Sequence, residues 1–116
     1  MEIKGTELEK CKVYITANVI DYLPDSIITR TILNKNSGNV KVTAIDSSKV
    51  LKEVSPFDSL IQIIEGKAEI VIDELSILVE AGQFIIVPAH SHNFIRATER
   101  FKMFSTVIKS GYEDVV

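Results

Sequence analysis

Two histidines, His90 and His92, are the residues whose type and spacing suggest chemistry most directly. They are two positions apart, so an extended backbone would place both imidazoles on one face of a strand. Imidazole is a common ligand of divalent metals and titrates near neutral pH. Solvated or hydrogen-bonded histidines without any chemical role fit the same pattern. The pair is therefore a candidate for part of a metal or acid–base site.

The remaining composition excludes several other kinds of site. The single cysteine, Cys11, allows neither an intrachain disulfide nor a cysteine-rich zinc site, and we assign it no chemical role. A net charge of -3 and a pI near 5.4 argue against a nucleic-acid partner and against an anionic membrane surface. No apolar run approaches the roughly 20 residues of a membrane span, and the N-terminus carries no signal-peptide core. We expect a cytoplasmic protein.

The elements that position these residues are predicted to be β-strands. The 116 residues suffice for one domain, 1–116, and include 17 Ile, 12 Val and 7 Thr against 6 Ala and 7 Leu. β-Branched side chains favour strands, and a two-residue period confirms the assignment at 40–44, 67–73 and 75–80. Between these runs lie turn signals at 36–39, 65–66, 73–74 and 81–82. Eight or nine short strands with tight turns predict a sandwich or barrel.

Two segments resemble the cupin superfamily, over a core of about residues 26–110. Residues 57–66 end in Glu65-Gly66, as the first cupin motif does, and Gly82 and Pro88 have the Gly-x5-Pro spacing of the second. The run 100–103 is also similar to that of small single-domain cupins. The resemblance implies an all-β fold, an antiparallel jelly-roll barrel (a double-stranded β-helix) with a short N-terminal extension. The functional site would lie at the mouth of the barrel.

Metal-binding cupins carry three histidines and a glutamate at fixed motif positions. Aligned on Gly66 and Pro88, those positions fall on four residues that do not keep the family pattern: Glu53, Ser55, Ser59 and Asn93. Hydroxyl and amide oxygens are poor donors for Fe, Mn or Zn compared with imidazole. We therefore expect no metal at the usual cupin positions and no required cofactor.

The same four residues would form a polar cluster inside an aliphatic barrel. Buried polar groups need partners, so the cluster predicts either a pocket for a small polar ligand or a degenerate pocket filled by water and side chains. In the first case His90 and His92 would lie at the rim, and Glu53 would serve as an acceptor.

Three functions remain open at this point. The first, which we favour, is a metal-independent barrel that binds a small polar organic molecule and is not an enzyme. The second is a metal-dependent oxygenase or isomerase, in which a β-bulge near Pro88 turns His90 and His92 toward Glu53 to form a displaced site. The third is a structural or interaction domain with a vestigial pocket.

We also expect a homodimer. Phe94 and Arg96 alternate with the inward-facing set Asn93, Ile95 and Ala97, and aromatic and Arg side chains are enriched in interfaces. The runs 83–87 and 101–108 are apolar on both faces, which predicts a second covering layer or a subunit.

Overall fold

A computed structural model describes residues 2–4 and 7–110, and within these ranges the chain is all-β. One 3-10 turn, Thr16–Asn18, interrupts the segment that precedes the main strands. The strands are β1 (Glu2–Lys4), β2 (Ile27–Lys35), β3 (Gly38–Ile45), β4 (Val50–Val54), β5 (Asp58–Glu65), β6 (Lys67–Ile72), β7 (Leu75–Glu80), β8 (Phe84–Val87), β9 (His92–Arg96) and β10 (Phe101–Ile108). The predicted fold class is confirmed.

The strands form two sheets that face each other. Sheet A has the order β1-β2-β3-β10-β5-β8, and sheet B has the order β4-β9-β6-β7. All described pairings are antiparallel except that of β1 with β2, which is parallel. The barrel is not closed. Within the described ranges, no helix has both the length and the apolar character needed to cross a membrane.

The main core lies between the two sheets. Sheet A contributes residues such as Phe101 and Met103, and sheet B contributes Ile70 and Ile95, all at most 2% exposed. The register opposes Ile70 to Ile95, which places Asn93 two residues further along the same side of β9. Ala97 is also buried, so the inward set expected in this strand is borne out at Ile95 and Ala97.

A second, smaller core lies on the outer face of sheet A. The segment before β2 packs Val19 and Ile20 against Val42 and Ala44 of β3. Its path is fixed in part by the backbone N–H of Leu8, which donates to the carbonyl of Ile32 at 3.2 Å. Strand β3 is consequently buried on both faces, although its alternating sequence is typical of a strand with one solvated face.

The apolar run in β8 is covered on one side only. Ile85 and Val87 pack toward the main core, whereas Phe84 and Ile86 are 62% and 61% exposed. In β10 both faces are covered at Phe101, Lys102 and Met103, because the segment before β2 lies over the outer side. A second covering layer is thus present over the first part of β10. For β8 the described residues supply no such layer, and covering by a subunit stays a prediction. The C-terminal residues 111–116 lie outside the described residues.

Candidate functional site

The register of β4 and β9 brings two of the predicted pocket positions together. Glu53 is the direct partner of Asn93, and Val54 is the partner of His92. The side chain of Glu53 lies outside the described part of the chain, so only its place in the ladder is known. Asn93 is half-buried. The two positions predicted from separate motifs are therefore neighbours on adjacent strands.

Ser55 lies just beyond the end of β4 and is tied to the loop that carries His90. The carbonyl of Ser55 accepts a hydrogen bond from the His90 N–H at 2.7 Å, and its hydroxyl oxygen accepts one from the Phe57 N–H at 3.1 Å. The second bond closes the turn between β4 and β5, and the first ties this turn to the loop between β8 and β9. The Ser55 hydroxyl therefore has a structural partner within the loop.

Ser59 is positioned differently from the other predicted pocket residues. It lies in β5, where its ladder partners are Val87 on one side and Val107 on the other. Among the predicted pocket residues whose side chains are described, only Ser55 lines the cavity between the sheets.

The two histidines do not share one face. His90 precedes β9 in a left-handed conformation with φ +64°, and His92 is the first residue of that strand. Both are exposed. His92 lines a groove on the outer face of sheet B together with Phe94 and Val54, the side of β9 opposite to Ile95.

A displaced metal site needs Glu53 as its third ligand. Among the residues that the structure describes, no group of three His, Cys, Asp or Glu side chains could hold a metal ion. Because the Glu53 side chain lies outside that set, the displaced site remains a prediction.

The usual cupin metal positions do not fit a transition metal in this chain. Ser55, Ser59 and Asn93 offer neutral oxygen donors, and the Ser55 hydroxyl already accepts a backbone hydrogen bond. Three imidazoles would be needed to reproduce the family's ligand set. We therefore derive no chemistry from a metal at these positions.

A cavity of about 280 Å³ lies between the sheets, beside the end of β4. Its wall on sheet A is largely polar and its wall on the β4 side is largely apolar. The wall on sheet A, extended by the residue that follows β10, consists of Thr29, Asn39, Lys41, Thr43, Met103, Ser105, Val107 and Lys109. The opposite wall consists of Leu51, Val54, Ser55, Pro56 and Phe57.

Asn39 is the most unusual residue of this cavity. It is 7% exposed, and its Oδ1 is buried without a hydrogen-bond partner in the part of the chain that the structure describes. A buried acceptor without a donor costs about 1–3 kcal/mol. Natural proteins keep few such groups, and each calls for an explanation in terms of a ligand, an ion or water.

The other polar groups of the wall follow Asn39 along β3. Thr43 is buried, and its Oγ1 lies 3.1 Å from Oγ1 of Thr29 on β2. Between Asn39 and Thr43 lies Lys41, whose ladder partner in β10 is Ser105. We call Thr29, Asn39, Lys41, Thr43 and Ser105 the polar stripe. It supplies both donors and acceptors to one side of the cavity.

Sequence reasoning missed the polar stripe. In β3 the aliphatic residues Val42 and Ala44 alternate with Lys41 and Thr43, and the simplest interpretation places the polar set in solvent. The aliphatic set is instead covered by the segment before β2, so the polar set faces the opposite sheet. The sequence feature that could have indicated this covering is the apolar pair Val19 and Ile20 in that segment.

A larger groove, of about 630 Å³, lies on the outer face of sheet B. The groove is lined by Lys52, Val54, Val71, Asp73, Glu74 and Phe94, together with the predicted site residues His92 and Asn93. Arg96 stacks over Phe94 at 5.3 Å and pairs with Glu69 at 3.1 Å. Because it lies outside the two sheets, this groove is a surface feature rather than a barrel mouth.

A third group of polar side chains lies under the N-terminal segment. The Tyr22 hydroxyl donates to Glu65 Oε2 at 2.6 Å, and the buried Lys102 Nζ donates to the Ala17 carbonyl at 2.6 Å. Burial, together with the hydrogen bond to Glu65 and its charge, raises the pKa of Tyr22. Arg100 lies over the Tyr22 ring at 4.5 Å. These contacts fasten the segment to sheet A and are structural.

Comparison with known proteins gives a match at the level of three-dimensional structure. No family model matches the sequence, and no curated protein matches it. A conserved protein of unknown function from Streptococcus pyogenes is similar at 28% identity and a TM-score of 0.85, over 91% of this chain and 94% of that chain.

Two further similar structures are described as cupins. A cupin superfamily protein from Desulfitobacterium hafniense is similar at 20% identity and a TM-score of 0.83, over 90% of this chain and 97% of that chain. A cupin 2 conserved barrel domain protein from Leptotrichia buccalis is similar at 22% identity and a TM-score of 0.77, over 80% of this chain and 46% of that chain. With the two facing antiparallel sheets and both sequence motifs, these likenesses establish that the chain is a small domain with the cupin fold.

Proposed function

We propose that this chain binds a small polar organic molecule in the cavity between the sheets and that binding needs no metal. The observation that carries the proposal is the buried, unpartnered Oδ1 of Asn39, a residue that lines this cavity. The oxygen itself is shielded from the cavity, so a ligand N–H or O–H would reach it after the Asn39 side chain turns toward the cavity. That hydrogen bond would recover the free energy lost by burial of the oxygen. The cavity volume suits a compact molecule.

The predicted pocket and the observed cavity share Ser55 and the end of β4. Glu53 and Asn93 are ladder partners close to this end, and Ser59 is the ladder partner of the cavity residue Val107. Our proposal keeps these three residues as contributors around the ligand, with His90 at the rim through its bond to Ser55. His92 faces the outer groove of sheet B and takes no part in this cavity. It adds the polar stripe as the wall that recognises the ligand.

The chemistry of the available donors supports binding without a metal. The polar stripe consists of hydroxyl, amide and ammonium groups. Such groups recognise organic functional groups through hydrogen bonds, whereas Fe, Mn and Zn prefer imidazole, carboxylate or thiolate ligands.

A thermal-shift screen of small polar metabolites against chelator-treated protein tests the proposal. A ligand at 100 times its Kd should stabilise the fold by about 2.7 kcal/mol, and added divalent metals should not change the response. Thr43→Val keeps the side-chain volume but removes a hydroxyl from the wall, so it should weaken the response. Glu53→Gln tests the contribution of the predicted carboxylate.

Two results would contradict the proposal in different ways. A response that appears only with added metal and is lost in His92→Ala would favour the displaced His90, His92 and Glu53 site and a metal-dependent enzyme. An absence of any response, together with no effect of Glu53→Gln, would favour a domain whose pocket is vestigial.

We further propose a cytoplasmic homodimer that contacts its partner copy through the groove on sheet B. The groove combines the exposed apolar side chain of Val54 with the positive Lys52 and the negative Asp73 and Glu74. A two-fold interface must be self-complementary, and opposite charges within a single apolar groove allow this.

A further inference from the structure

We infer that the ligand of the inter-sheet cavity is a small organic acid, whose carboxylate is bound by Lys41. This inference rests on the proposed function, because it names the chemical class of the molecule in the same cavity. It is carried by the placement and charge of Lys41, which the binding proposal uses only as one of several polar groups of the wall.

Lys41 lies in the middle of the polar stripe. Its ladder partners are Ser105 on β10 and Thr31 on β2, and it lines the cavity along with Ser105. Hydroxyl side chains beside an ammonium group can donate to the same anion, as they commonly do in anion sites. The wall therefore presents several donors around one positive charge.

The charge of Lys41 is not balanced by the side chains that the structure describes. Lys12, Lys35, Lys49 and Lys102 each pair with a carboxylate. Among the lysines with described side chains that form no ion pair, Lys41 is half-buried, whereas Lys10, Lys52, Lys67 and Lys109 are exposed. An anionic ligand would give this half-buried ammonium group a counter-charge that the described lining of the cavity does not supply.

A second lysine of the cavity also favours an anionic ligand. Lys109 follows β10 and lines the cavity, and its backbone N–H donates to the carbonyl of Ser37 at 2.7 Å. Both charged side chains in the described lining are thus positive. They would attract an organic anion toward the opening and disfavour a cationic ligand.

The distance between Lys41 and Asn39 narrows the ligand class further. The two residues are separated by one residue in β3, so their Cα atoms are about 6.6 Å apart along one face. A molecule that spans them would offer a carboxylate to Lys41 and a hydrogen-bond donor to Oδ1 of Asn39. A short hydroxy acid satisfies both requirements.

Matched pairs of acids and amides test the inference. Lactate with lactamide, glycolate with glycolamide and mandelate with mandelamide differ in charge but hardly in shape. Titrations followed by NMR on the side-chain amide of Asn39 should show the acids binding about tenfold or more tightly than the amides, because a charge-assisted bond is lost. Added salt should weaken acid binding.

Variants of Lys41 provide the matched controls. Lys41→Met should weaken acid binding about tenfold or more, and Lys41→Arg should retain most of it. Lys52→Met removes a lysine on the outer face of sheet B and should leave binding unchanged. Since the acid–amide comparison uses the unaltered protein, a folding defect in Lys41→Met would not compromise the test.

Two outcomes would overturn the inference, and they differ in what they leave standing. Amides that bind as well as the acids, with no effect of Lys41→Met, would refute the anionic class but leave ligand binding in the cavity intact. If neither series perturbs the Asn39 amide, while the metabolite screen also finds no ligand, both the inference and the proposed function are wrong.

Discussion

Asp46, at the end of β3, organises the loops next to the N-terminal segment. Its carboxylate accepts hydrogen bonds from the backbone N–H of Asp25 at 2.7 Å and of Ser47 at 2.9 Å, and it pairs with Arg100 at 3.4 Å. The hydrogen bond from the Asp25 N–H has the largest effect and the one from the Ser47 N–H the next largest. Both hold the pKa of Asp46 below its usual value. The charged carboxylate is therefore the form that stabilises the fold.

Asp46→Asn should lower the melting temperature at pH 7, and the difference should shrink with acidification. Because the folded pKa is depressed, the stabilisation is present above the unfolded pKa of 3.8 and is lost as the pH falls through the folded pKa. Melting curves of both proteins between pH 7 and the most acidic pH at which both fold would measure this. A difference that stays constant over that range would show that the charge of Asp46 does not contribute.

The Asn39 amide shows why individual site residues were hard to predict. Its sequence context, a turn followed by a strand, is typical of an exposed asparagine. Burial comes instead from the register with Val107 of β10, a residue almost seventy positions away. The pattern of neighbouring residues cannot predict a strand partner so far away along the chain.

The turn between β5 and β6 depends on Gly66. This residue has φ +77°, and a Cβ added there would lie 2.5 Å from the carbonyl oxygen of Arg100. Both the left-handed conformation and the backbone contact require glycine. The Glu65-Gly66 sequence that carries the family resemblance therefore has a steric cause in this chain.

Gly66→Ala should destabilise the fold by about 2–5 kcal/mol, the combined cost of a strained φ and of a steric overlap with backbone. Gly82→Ala is the matched control, because Gly82 has φ +87° but open space around the added Cβ. Its cost should be about 1–2 kcal/mol. Denaturant unfolding measures both, and equal losses in the two variants would refute the steric account.

The positions of the strands were predicted better than the way in which their faces are covered. The alternation in β6, β7 and β9 identified strands and their buried faces, since each of these strands has one face in the main core. In β3 both faces are buried. The aliphatic face is covered by the segment before β2, and the polar face lines the cavity between the sheets. Sequence alone could not assign them, because the covering segment is almost devoid of regular secondary structure.

The motif positions illustrate the same limit. Aligning the two motifs placed Glu53 and Asn93 together, and the ladder of β4 and β9 pairs them directly. The same alignment gave no indication of Asn39, Lys41 or Thr43, because they lie outside both motifs on a strand that the family pattern leaves unspecified. The family resemblance therefore located one side of the cavity, and only the structure located the other.

The assembly of two copies can be tested with matched surface variants. Light scattering should give about twice the chain mass of 12.9 kDa for the unaltered protein. Val54→Glu places a charge at a 71% exposed position in the groove on sheet B and should yield a monomer without loss of stability. Ile86→Glu, at a 61% exposed position on β8 of sheet A, should remain a dimer.

The reverse pattern would relocate the interface. A dimer that survives Val54→Glu but dissociates in Ile86→Glu would place the contact on the exposed face of β8. A monomeric unaltered protein would show that neither surface associates, and the exposed apolar side chains would then need another explanation.

The most direct test of ligand recognition in the cavity is the stability and binding of Asn39→Leu. The substitution removes a buried acceptor that has no donor in the described part of the chain, and replaces it with an apolar side chain of similar size. Without ligand, the variant should be as stable as the unaltered protein or up to about 2 kcal/mol more stable. It should nevertheless lose the stabilisation that a ligand found in the screen confers. A variant that is clearly destabilised without ligand, yet binds the ligand as tightly as before, would contradict a recognition role for Asn39.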